Sequence, residues 1–470
     1  MDQIETFDSR TIEESLVLKS ILKRSMTATE FFENSWQKES LVSQFREEAP
    51  LNGSVSDCGD GTWNEDRMQE QPLEETVRQG WNVLLQLLEQ VQNIQEVRSD
   101  DDGDGEKPLI FKAQELQSPD DVLSKYGKSI FSPYLDGCSI VINHGDLLSP
   151  WIAFLCQDLQ KVFPHVYANC YLTPPNMQAV PAHADDRDVF VFQLVGSKAW
   201  RVYQTIPIPY PYPHEQVGKE GVPVPPSVLE GPVCVSTTLH PGDVLYMPRG
   251  FVHQAQCHDQ LSFHVTIALA THDWSLAGMM SMATEHILTK VVNFRQSILP
   301  LVNNDPSTLQ SNIDLAINVL KEQITADSIL TNLHSRLEKH NHRAFPLRMR
   351  RIHQARFPQA TQDPDVNQVV GPLAAERTNF HSILRSSTFE ERDSVADRSS
   401  TEPRGLLVRE DCADSILSII SEFKAKPSLQ CRVIDLRSLM PEQNPLVCDL
   451  SLLSFAKRCV ELGALAIVNE

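Results

Sequence analysis

The segment HADDRDVFVFQLVGSKAWRVY at residues 183–203, followed by PGDVLYMPRGFVHQA at 241–255, decides the fold class. Both contain runs of β-branched and aromatic residues bounded by Gly, Asp or Pro, which is typical of short antiparallel strands. Similar runs recur along this part of the chain, at 138–143, 165–172, 188–196, 198–203, 232–239, 243–248 and 261–269. So many short strands in close succession predict an antiparallel sandwich or barrel between residues 108 and 273.

Two histidines and one aspartate in these stretches have the pattern of a metal site. His183 and Asp185 are two positions apart, so on an extended strand their side chains point to the same face. His253 follows a turn and would return across the barrel to the same place. Two imidazoles and one carboxylate on one face of a metal are the ligand set of non-haem Fe(II) oxygenases, which keep positions open for other ligands. Metal-free surface histidines and a zinc hydrolase are the alternatives, although no H-E-x-x-H motif is present.

Polar residues near these ligands could bind a carboxylate-bearing molecule. Lys198 begins the strand that follows His183, and its ammonium is suited to the distal carboxylate of 2-oxoglutarate. Hydroxyl groups of Thr266 and Tyr171 could add hydrogen bonds, and Asn169 shares a strand face with Tyr171. A solvated lysine, a structural amide and a core tyrosine would give the same pattern, so this pocket is a hypothesis.

The composition argues against several classes of protein. Lys and Arg number 41 against 62 Asp and Glu, a net charge of −21, which disfavours broad nucleic-acid binding and suits a basic protein partner. No run of about 18 apolar residues is present that would cross a membrane. The ten cysteines include no C-x-x-C pair, and the first residues lack the pattern of a secretion signal. We therefore expect reduced thiols and a nuclear, nucleolar or cytoplasmic location rather than secretion.

The sequence before the barrel predicts helices separated by polar segments. Apolar spacing favours helices within 11–45 and over 83–97. Residues 46–79 lack that spacing and are predicted to be a loop. The run SDDDGDGE at 99–106 predicts a mobile acidic loop, because like charges repel one another there. Residues 1–107 are thus assigned to an N-terminal helical segment.

The sequence after the barrel predicts helices over 274–365. Apolar residues such as Leu315 and Leu320 recur there at helical spacing. The stretch RAFPLRMRRIHQARF at 343–357 is the one dense basic segment of the sequence. It is compatible with a nuclear-import signal or an RNA contact, but the basic face of a helix is the commoner explanation.

Residues 366–470 predict a separate small α/β unit. SILSIISEF at 415–423 has the spacing of an amphipathic helix, and CRVIDL at 431–436 that of a strand. LSLLSFAKRCVELGALAIV at 450–468 predicts a helix, a stop at glycine and a final strand. The polar segment at 386–405 predicts a disordered insertion.

At the motifs quoted above the chain resembles the JmjC-type ribosomal oxygenases, also called the cupin-4 family, which include bifunctional lysine-specific demethylases and histidyl-hydroxylases. The matching text is DGCSIVIN, NCYLTPPNMQ, HADDRDVFVFQLVGSKAWRVY, PGDVLYMPRGFVHQA and SFHVTIAL. The resemblance is strong over 135–272, and weak or faint elsewhere. It implies a mainly β double-stranded β-helix (JmjC/cupin) barrel at 108–273, a helical dimerisation domain at 274–365 and a C-terminal winged helix at 366–470.

The resemblance also implies an activity and its residues. It implies Fe(II), with 2-oxoglutarate and O2 as cosubstrates, and hydroxylation of a ribosomal-protein side chain, usually histidine in eukaryotic members and arginine in bacterial ones. Carried over by position, the residues of the centre are His183, Asp185 and His253 as iron ligands, Lys198 as the 2-oxoglutarate anchor, and Thr266, Asn169 and Tyr171 as pocket residues. A homodimer is implied as well. Histone lysine demethylation is the alternative, and a non-enzymatic scaffold, which the intact ligand set disfavours, is a third hypothesis.

The chain departs from its relatives near the expected substrate entrance. Ala184 stands between the first two ligands, where relatives have an aromatic residue. The Pro-rich segment at 204–231 predicts an extended loop near the mouth of the barrel, with a ligand for a binding module as the alternative. Both departures affect which substrate residue the site would accept more than they affect the fold.

Overall fold

The computed structural model describes residues 15–22, 26–44, 61–97, 108–163, 165–219, 221–269, 274–295, 306–356, 378–387, 406–441, 444–462 and 464–468. The acidic run at 99–106 and residues 388–405 of the polar insertion lie outside these ranges. Within them, the cysteines form no disulfide. No helix in the described ranges combines the length and the apolar character needed to cross a bilayer.

Helices surround the β structure on several sides. In chain order they are α1 (Leu16–Leu22), α2 (Ala28–Glu30, continued by a π-helical turn at Phe31–Ser35), α3 (Glu65–Glu70), α4 (Pro72–Arg78), α5 (Gly80–Val97), α6 (Pro119–Tyr126), α7 (Phe131–Leu135), α8 (Pro150–Leu159), α9 (Pro226–Leu229), α10 (Leu276–Leu288), α11 (Pro306–Gln323), α12 (Ala326–Arg356), α13 (Ala413–Ala425) and α14 (Asp449–Glu461).

The strands between residues 138 and 269 fall mostly where the runs of β-branched and aromatic residues predict them. They are β1 (Leu41–Ser43), β2 (Leu109–Lys112), β3 (Glu115–Leu116), β4 (Ser139–Ile142), β5 (Val166–Thr173), β6 (Asp188–Gly196), β7 (Lys198–Tyr203), β8 (Val233–Leu239), β9 (Val244–Met247), β10 (His253–Gln256), β11 (Ser262–Leu269), β12 (Ile383–Ser386), β13 (Cys431–Arg432) and β14 (Leu465–Ile467).

Two antiparallel sheets face each other and enclose an apolar interior. The larger sheet has the strand order β1-β9-β6-β11-β5-β4-β2-β3, and the smaller has β10-β7-β8. Val191 of β6 and Leu245 of β9 pack in one buried cluster with Trp200 and Val202 of β7. The predicted antiparallel sandwich is therefore confirmed, and β1 from the N-terminal segment extends it by pairing with β9.

The outer face of the larger sheet is covered by helices. Every residue of β6 is buried, because one face meets the small sheet and the other meets the main core. Phe190 and Phe192 of β6 lie in that core together with Leu18 of α1 and Leu84 of α5. A strand covered on both faces is an unbroken apolar run, which explains the sequence DVFVFQLVG.

Three sequence predictions are wrong in the described residues. The segment predicted to be helical within 11–45 contains strand β1, whose residues pair with β9. Within the predicted loop, α3 and α4 are helical: the Asn64 side chain caps α3, Pro72 opens α4 and Leu73 is buried. These short helices are stabilised by tertiary packing of a few apolar residues, and they have no long apolar face that a sequence pattern could reveal. Of the predicted strand CRVIDL, only its first two residues form β13, and a 3-10 helix follows. Val433 and Leu436 are both buried there, at the three-residue period of that helix.

A buried arginine fastens α12 to the β core. Arg348 is 1% exposed, and its Nε donates to Asp146 Oδ2 at 2.8 Å and its Nη1 to Gln160 Oε1 at 2.6 Å. Nη2 donates to the carbonyl of Val166 at the start of β5. The basic stretch at 343–357 is thus partly internal, and Arg348 is inaccessible to an RNA or an import receptor.

The C-terminal unit is a three-stranded antiparallel sheet with two helices. Its strand order is β13-β12-β14, and α13 and α14 pack beside it. Helix α14 also packs on α7, which precedes β4, and there the Tyr134 hydroxyl lies 3.2 Å from Cys448 Sγ.

Candidate metal centre and adjoining pocket

His183 and His253 are brought together by their own backbones. They form an isolated antiparallel bridge, in which the N–H of each donates to the carbonyl of the other, at 3.1 and 2.8 Å. The Asp185 carbonyl accepts from the Gly250 N–H at 2.9 Å, which ties the second ligand to the same turn. His183 and Asp185 were expected on one face of an extended strand. Of these two residues only His183 has strand pairing, in a single bridge, because β6 begins at Asp188.

The three side chains converge on one point. His183 Nε2 lies 3.7 Å from Asp185 Oδ1, and His253 Nε2 lies 3.8 Å from Asp185 Oδ2. The candidate ligand atoms all lie within 4.8 Å of one another. Two nitrogens and one oxygen at such spacing could coordinate one face of a divalent transition metal and would leave its other coordination positions open.

Backbone carbonyls set both imidazoles for coordination. His183 Nδ1 donates to the Pro181 carbonyl at 2.7 Å, and His253 Nδ1 donates to the Phe251 carbonyl at 3.1 Å. A carbonyl oxygen only accepts, so the proton resides on Nδ1 and the Nε2 lone pair faces the centre. Burial lowers the pKa of both imidazoles, which keeps them neutral at physiological pH, as ligands must be.

Lys219, on the Pro-rich insertion, contacts the third ligand. Its Nζ donates to Asp185 Oδ1 at 2.6 Å. Burial raises the pKa of Asp185, but Lys219 and the two imidazoles outweigh it and hold that pKa below the usual range. The insertion lies directly on the ligand segment, because Gly218 has φ +82° and a Cβ there would lie 2.3 Å from the Ala182 carbonyl oxygen. The Pro-rich segment is thus a strap over the site.

The strap also explains the small residue between the first two ligands. Ala184 is 1% exposed and packs with Val217 and Val228 of the insertion. Its N–H donates to the Val217 carbonyl at 2.8 Å. The space that an aromatic side chain would need is therefore filled by the insertion.

Lys198 is a buried ammonium in the interior beside the metal ligands. It is 3% exposed, and its Nζ donates to Thr173 Oγ1 at 3.1 Å. Burial lowers its pKa, and no Asp or Glu pairs with it in the described part of the chain. A buried cation without a counter-ion is costly, so the pocket is suited to an anion supplied from outside.

Aromatic rings form one wall of this interior. The His264 ring stacks on Tyr171 with centroids 4.9 Å apart and 1° between the planes. Its edge meets Trp200 at 5.4 Å, and Trp200 in turn lies 6.0 Å from His253. Burial, followed by Lys198, lowers the pKa of His264 well below its usual value, so this ring is neutral.

Asn169 and Thr266 lie opposite each other on β5 and β11. Their positions alternate with core residues, so they share the inner face with Tyr171 and His264. Asn169 Oδ1 accepts from the His144 N–H at 3.3 Å. All seven residues singled out in the sequence therefore lie on or beside one interior surface.

Sequence reasoning missed three members of this surface. Thr173 holds Lys198, His264 stacks on Tyr171, and Lys219 contacts Asp185. The two-residue alternation along β5 and β11 could have found Thr173 and His264. Nothing near Lys219 in the sequence indicates its contact, because it depends on how the strap folds back.

Part of the chain is similar to known proteins. Residues 149–276 match the model of the JmjC domain family. "Ribosomal oxygenase 1" of Rattus norvegicus is 35% identical over 173 residues, which are 36% of this chain and 28% of that protein. "Bifunctional lysine-specific demethylase and histidyl-hydroxylase NO66" of Drosophila mojavensis is 33% identical over 178 residues, which are 37% of this chain and 19% of that protein.

The match thus spans less than a third of those relatives' own length. Among solved structures, the Escherichia coli ribosomal oxygenase YcfD is similar at 12% identity and a TM-score of 0.32, with 94% of this chain and 99% of that chain covered.

Proposed function

We propose that this chain, whose residues 149–276 match the JmjC domain family, is an Fe(II)- and 2-oxoglutarate-dependent oxygenase that oxidises a protein side chain. The observation that carries the proposal is the convergence of His183, Asp185 and His253 beside the unpaired ammonium of Lys198. A scaffold protein would have no need of either feature. The relatives named above are oxygenases and hydroxylases, which supports the same conclusion.

Each residue of the centre has a defined task in this proposal. His183 and His253 present Nε2, and Asp185 presents a carboxylate, to hold Fe(II). Lys198, oriented by Thr173, binds the distal carboxylate of 2-oxoglutarate, while Tyr171, Asn169 and Thr266 line the cosubstrate pocket. When bound, the iron supplies the activation of O2, coupled to decarboxylation of 2-oxoglutarate to succinate. The apolar interior between the two sheets excludes water from the cosubstrate.

The substrate we propose is a histidine side chain of a ribosomal protein. Support comes from the names of the relatives, and from the net charge of −21, which favours association with a basic protein. The test is mass spectrometry of ribosomal proteins incubated with the chain, Fe(II) and 2-oxoglutarate. We expect one residue to gain the mass of one oxygen atom; ribosomal proteins unchanged under turnover conditions would contradict this substrate.

The alternative is oxidation of an N-methyl group on histone lysine. A relative named as both a lysine demethylase and a histidyl-hydroxylase favours this second candidate. Demethylation releases formaldehyde, whereas hydroxylation of carbon does not. A formaldehyde assay on methylated histone peptides therefore separates the two. The nuclear location remains a prediction.

Replacing Lys198 with alanine should raise the apparent KM for 2-oxoglutarate about ten- to hundred-fold, because a charged hydrogen bond in a buried site is worth about 1.5–3 kcal/mol. Metal affinity, measured with Co(II), should change little. Arg201→Ala is the matched control, since Arg201 is exposed on the opposite face of the same strand. An unchanged KM in Lys198→Ala would place the anchor elsewhere.

We further propose that the chain is a homodimer through residues 274–365, with a winged helix at 366–470. Apolar side chains of α11 and α12 are exposed in the single chain, namely Ile313, Leu315, Ile317, Leu330, Phe345 and Leu347. Ile313 and Ile317 lie on one face of α11 and Leu315 on the opposite face. Exposed apolar side chains on a helix are normally buried against a partner, and two-fold pairing of identical surfaces is the commonest solution. The sheet β13-β12-β14 with α13 and α14 is compatible with a winged helix.

Glutamate at both Leu315 and Leu320 should give soluble monomers with an intact metal centre, because charge cannot be buried in a symmetric apolar interface. Sedimentation velocity at micromolar concentration measures the effect. Asn318→Glu, on an exposed position of the same helix, is the control and should leave the dimer unchanged. A wild-type chain that sediments as a monomer would contradict the dimer without touching the catalytic proposal.

A further inference from the structure

A cleft of about 460 Å³ is lined in part by Arg249, in the turn before β10. Its other walls come from the strap (Tyr210 and Tyr212) and from Trp274 and Leu276 at the start of α10. Arg249 precedes Gly250, whose N–H binds the Asp185 carbonyl. The cleft and the candidate iron ligands therefore share one turn of the chain.

Arg249 reaches this cleft as a buried cation. Burial lowers the pKa of its guanidinium, and the nearby Asp188 and Asp186 carboxylates offset this only in part. Arg249 is 8% exposed, and its Nε has no hydrogen-bond partner. Its guanidinium makes no ion pair within the described residues, and it lies over the Tyr210 ring at 5.3 Å. Unpaired buried guanidinium groups are costly. The cost is offset where a bound anion pairs with the guanidinium.

The backbone of Arg249 is held by a hydrogen bond to Asp188, a carboxylate that has a second donor. The Arg249 N–H donates to Asp188 Oδ1 at 2.9 Å, and the Tyr246 hydroxyl donates to Asp188 Oδ2 at 2.8 Å. The Tyr246 oxygen accepts from the Gln37 N–H at 2.9 Å. Asp188 is thus occupied by other donors, and the backbone of Arg249 is held in place before any ligand arrives.

The same cleft receives the positive end of a helix. Helix α10 has 13 residues, and its N-cap Ser275 accepts from the Gly278 N–H at 3.1 Å. The remaining N–H groups of the first turn have no helical acceptor, and the helix dipole favours a negative charge there. Leu276 and Ala277 of that turn line the cleft.

We propose that this cleft binds the carboxylate of an acidic side chain in the protein substrate. The lining residues carry one full positive charge, which balances one carboxylate and is short of a phosphate dianion. The flat guanidinium donates two parallel hydrogen bonds to a carboxylate, and Tyr210, Tyr212 and Trp274 cover the aliphatic part of the side chain. This inference rests on the proposed oxidation of a protein substrate and adds a sequence requirement to it.

The position of Arg249 limits where that acidic residue lies in the substrate. Arg249 and His253 are four positions apart, so their Cα atoms are separated by at most about 14 Å. An extended peptide covers that distance in about four residues. The recognised Asp or Glu is therefore expected within a few residues of the oxidised side chain, so a basic protein would be selected for a local acidic residue.

Fluorescein-labelled degenerate peptide pools provide the test, read as binding to the full chain and not as turnover. Each pool has neutral residues around a central His, Arg or methyl-lysine, with a single Glu at one flanking position or Gln at the same position. Wild type should bind the Glu pools about ten- to hundred-fold more tightly within four positions of the centre. Arg249→Gln should lose this preference. Arg249→Lys should keep part of it, because lysine retains the positive charge but cannot donate two parallel hydrogen bonds to a carboxylate.

Arg201→Gln is the control and should behave as wild type. Thermal melting and Co(II) binding of both Arg249 variants show whether they fold. Equal binding of Glu and Gln pools, no binding by either, or a Glu preference that survives in folded Arg249→Gln would overturn the proposal. So would tighter binding of a phosphoserine pool than of the Glu pool. If ribosomal proteins stay unoxidised in the mass-spectrometric test but the Glu preference follows Arg249, the proposed function fails and the carboxylate site stands.

Discussion

Replacing His183 with alanine is expected to abolish 2-oxoglutarate turnover that depends on Fe(II). His183 supplies one of the two imidazoles of the candidate ligand set, and the hydrogen bond from its Nδ1 to the Pro181 carbonyl turns its Nε2 towards the other ligand atoms. The remaining His253 and Asp185 would bind a divalent metal far more weakly. Turnover is measured as succinate formed at saturating iron, and metal binding separately by titration with Co(II).

The fold should survive this change, because the His183–His253 bridge is made by backbone groups that alanine retains. The thermal midpoint of His183→Ala should therefore lie close to that of the wild type. His240→Ala, at an exposed position outside the site, is the control and should keep full turnover. Undiminished succinate formation by His183→Ala would remove this residue from the ligand set.

The second large effect is expected for Arg348→Met, which should lower the free energy of unfolding by about 3–5 kcal/mol. The change leaves the Asp146 carboxylate, 1% exposed, without its charged partner, and an uncompensated buried charge is strongly destabilising. It also removes donors to Gln160 and to the Val166 carbonyl. Denaturation by urea, followed by circular dichroism, measures the loss.

Two further variants show whether the buried pair is responsible. Arg350→Met, at an exposed position two residues away on the same helix, should change stability by less than about 0.5 kcal/mol. Arg348→Met combined with Asp146→Leu should recover part of the loss, because replacing both charges by apolar groups removes the unpaired carboxylate. A single variant as stable as the wild type would mean that the ion pair contributes nothing net.

The sequence predicted most of the sandwich because its strands are decided locally. The run DVFVFQLVG became β6 with the predicted bounds, since a strand buried on both faces needs continuous apolar residues. Helices α3 and α4 were missed because their order comes from a cap, a proline and distant contacts rather than from a periodic face. The 3-10 helix after β13 was missed because its buried residues are too few to distinguish a period of three from alternation.

The candidate site was predictable to the extent that its residues lie on strands. His183, Asp185 and His253 follow from spacing and ligand chemistry, and Tyr171 and Asn169 from alternation. Lys219 and Arg249 were not predictable, because each acts from an irregular segment whose path depends on tertiary packing. The burial of individual arginines could not be predicted either. Nothing in the basic stretch indicates that Arg348 is buried while Arg350 is exposed.

The backbone bridge between His183 and His253 has a consequence for the order of folding. These two residues are 70 positions apart in the chain, so the metal centre does not exist until a long loop has closed. Closing such a loop lowers the chain's entropy before the contacts at its ends can compensate, and non-local β pairing is slow. We therefore expect the centre to form late in folding. Iron would then meet no preformed site in the nascent chain and would bind the finished sandwich, adding stability by mass action to the native state alone.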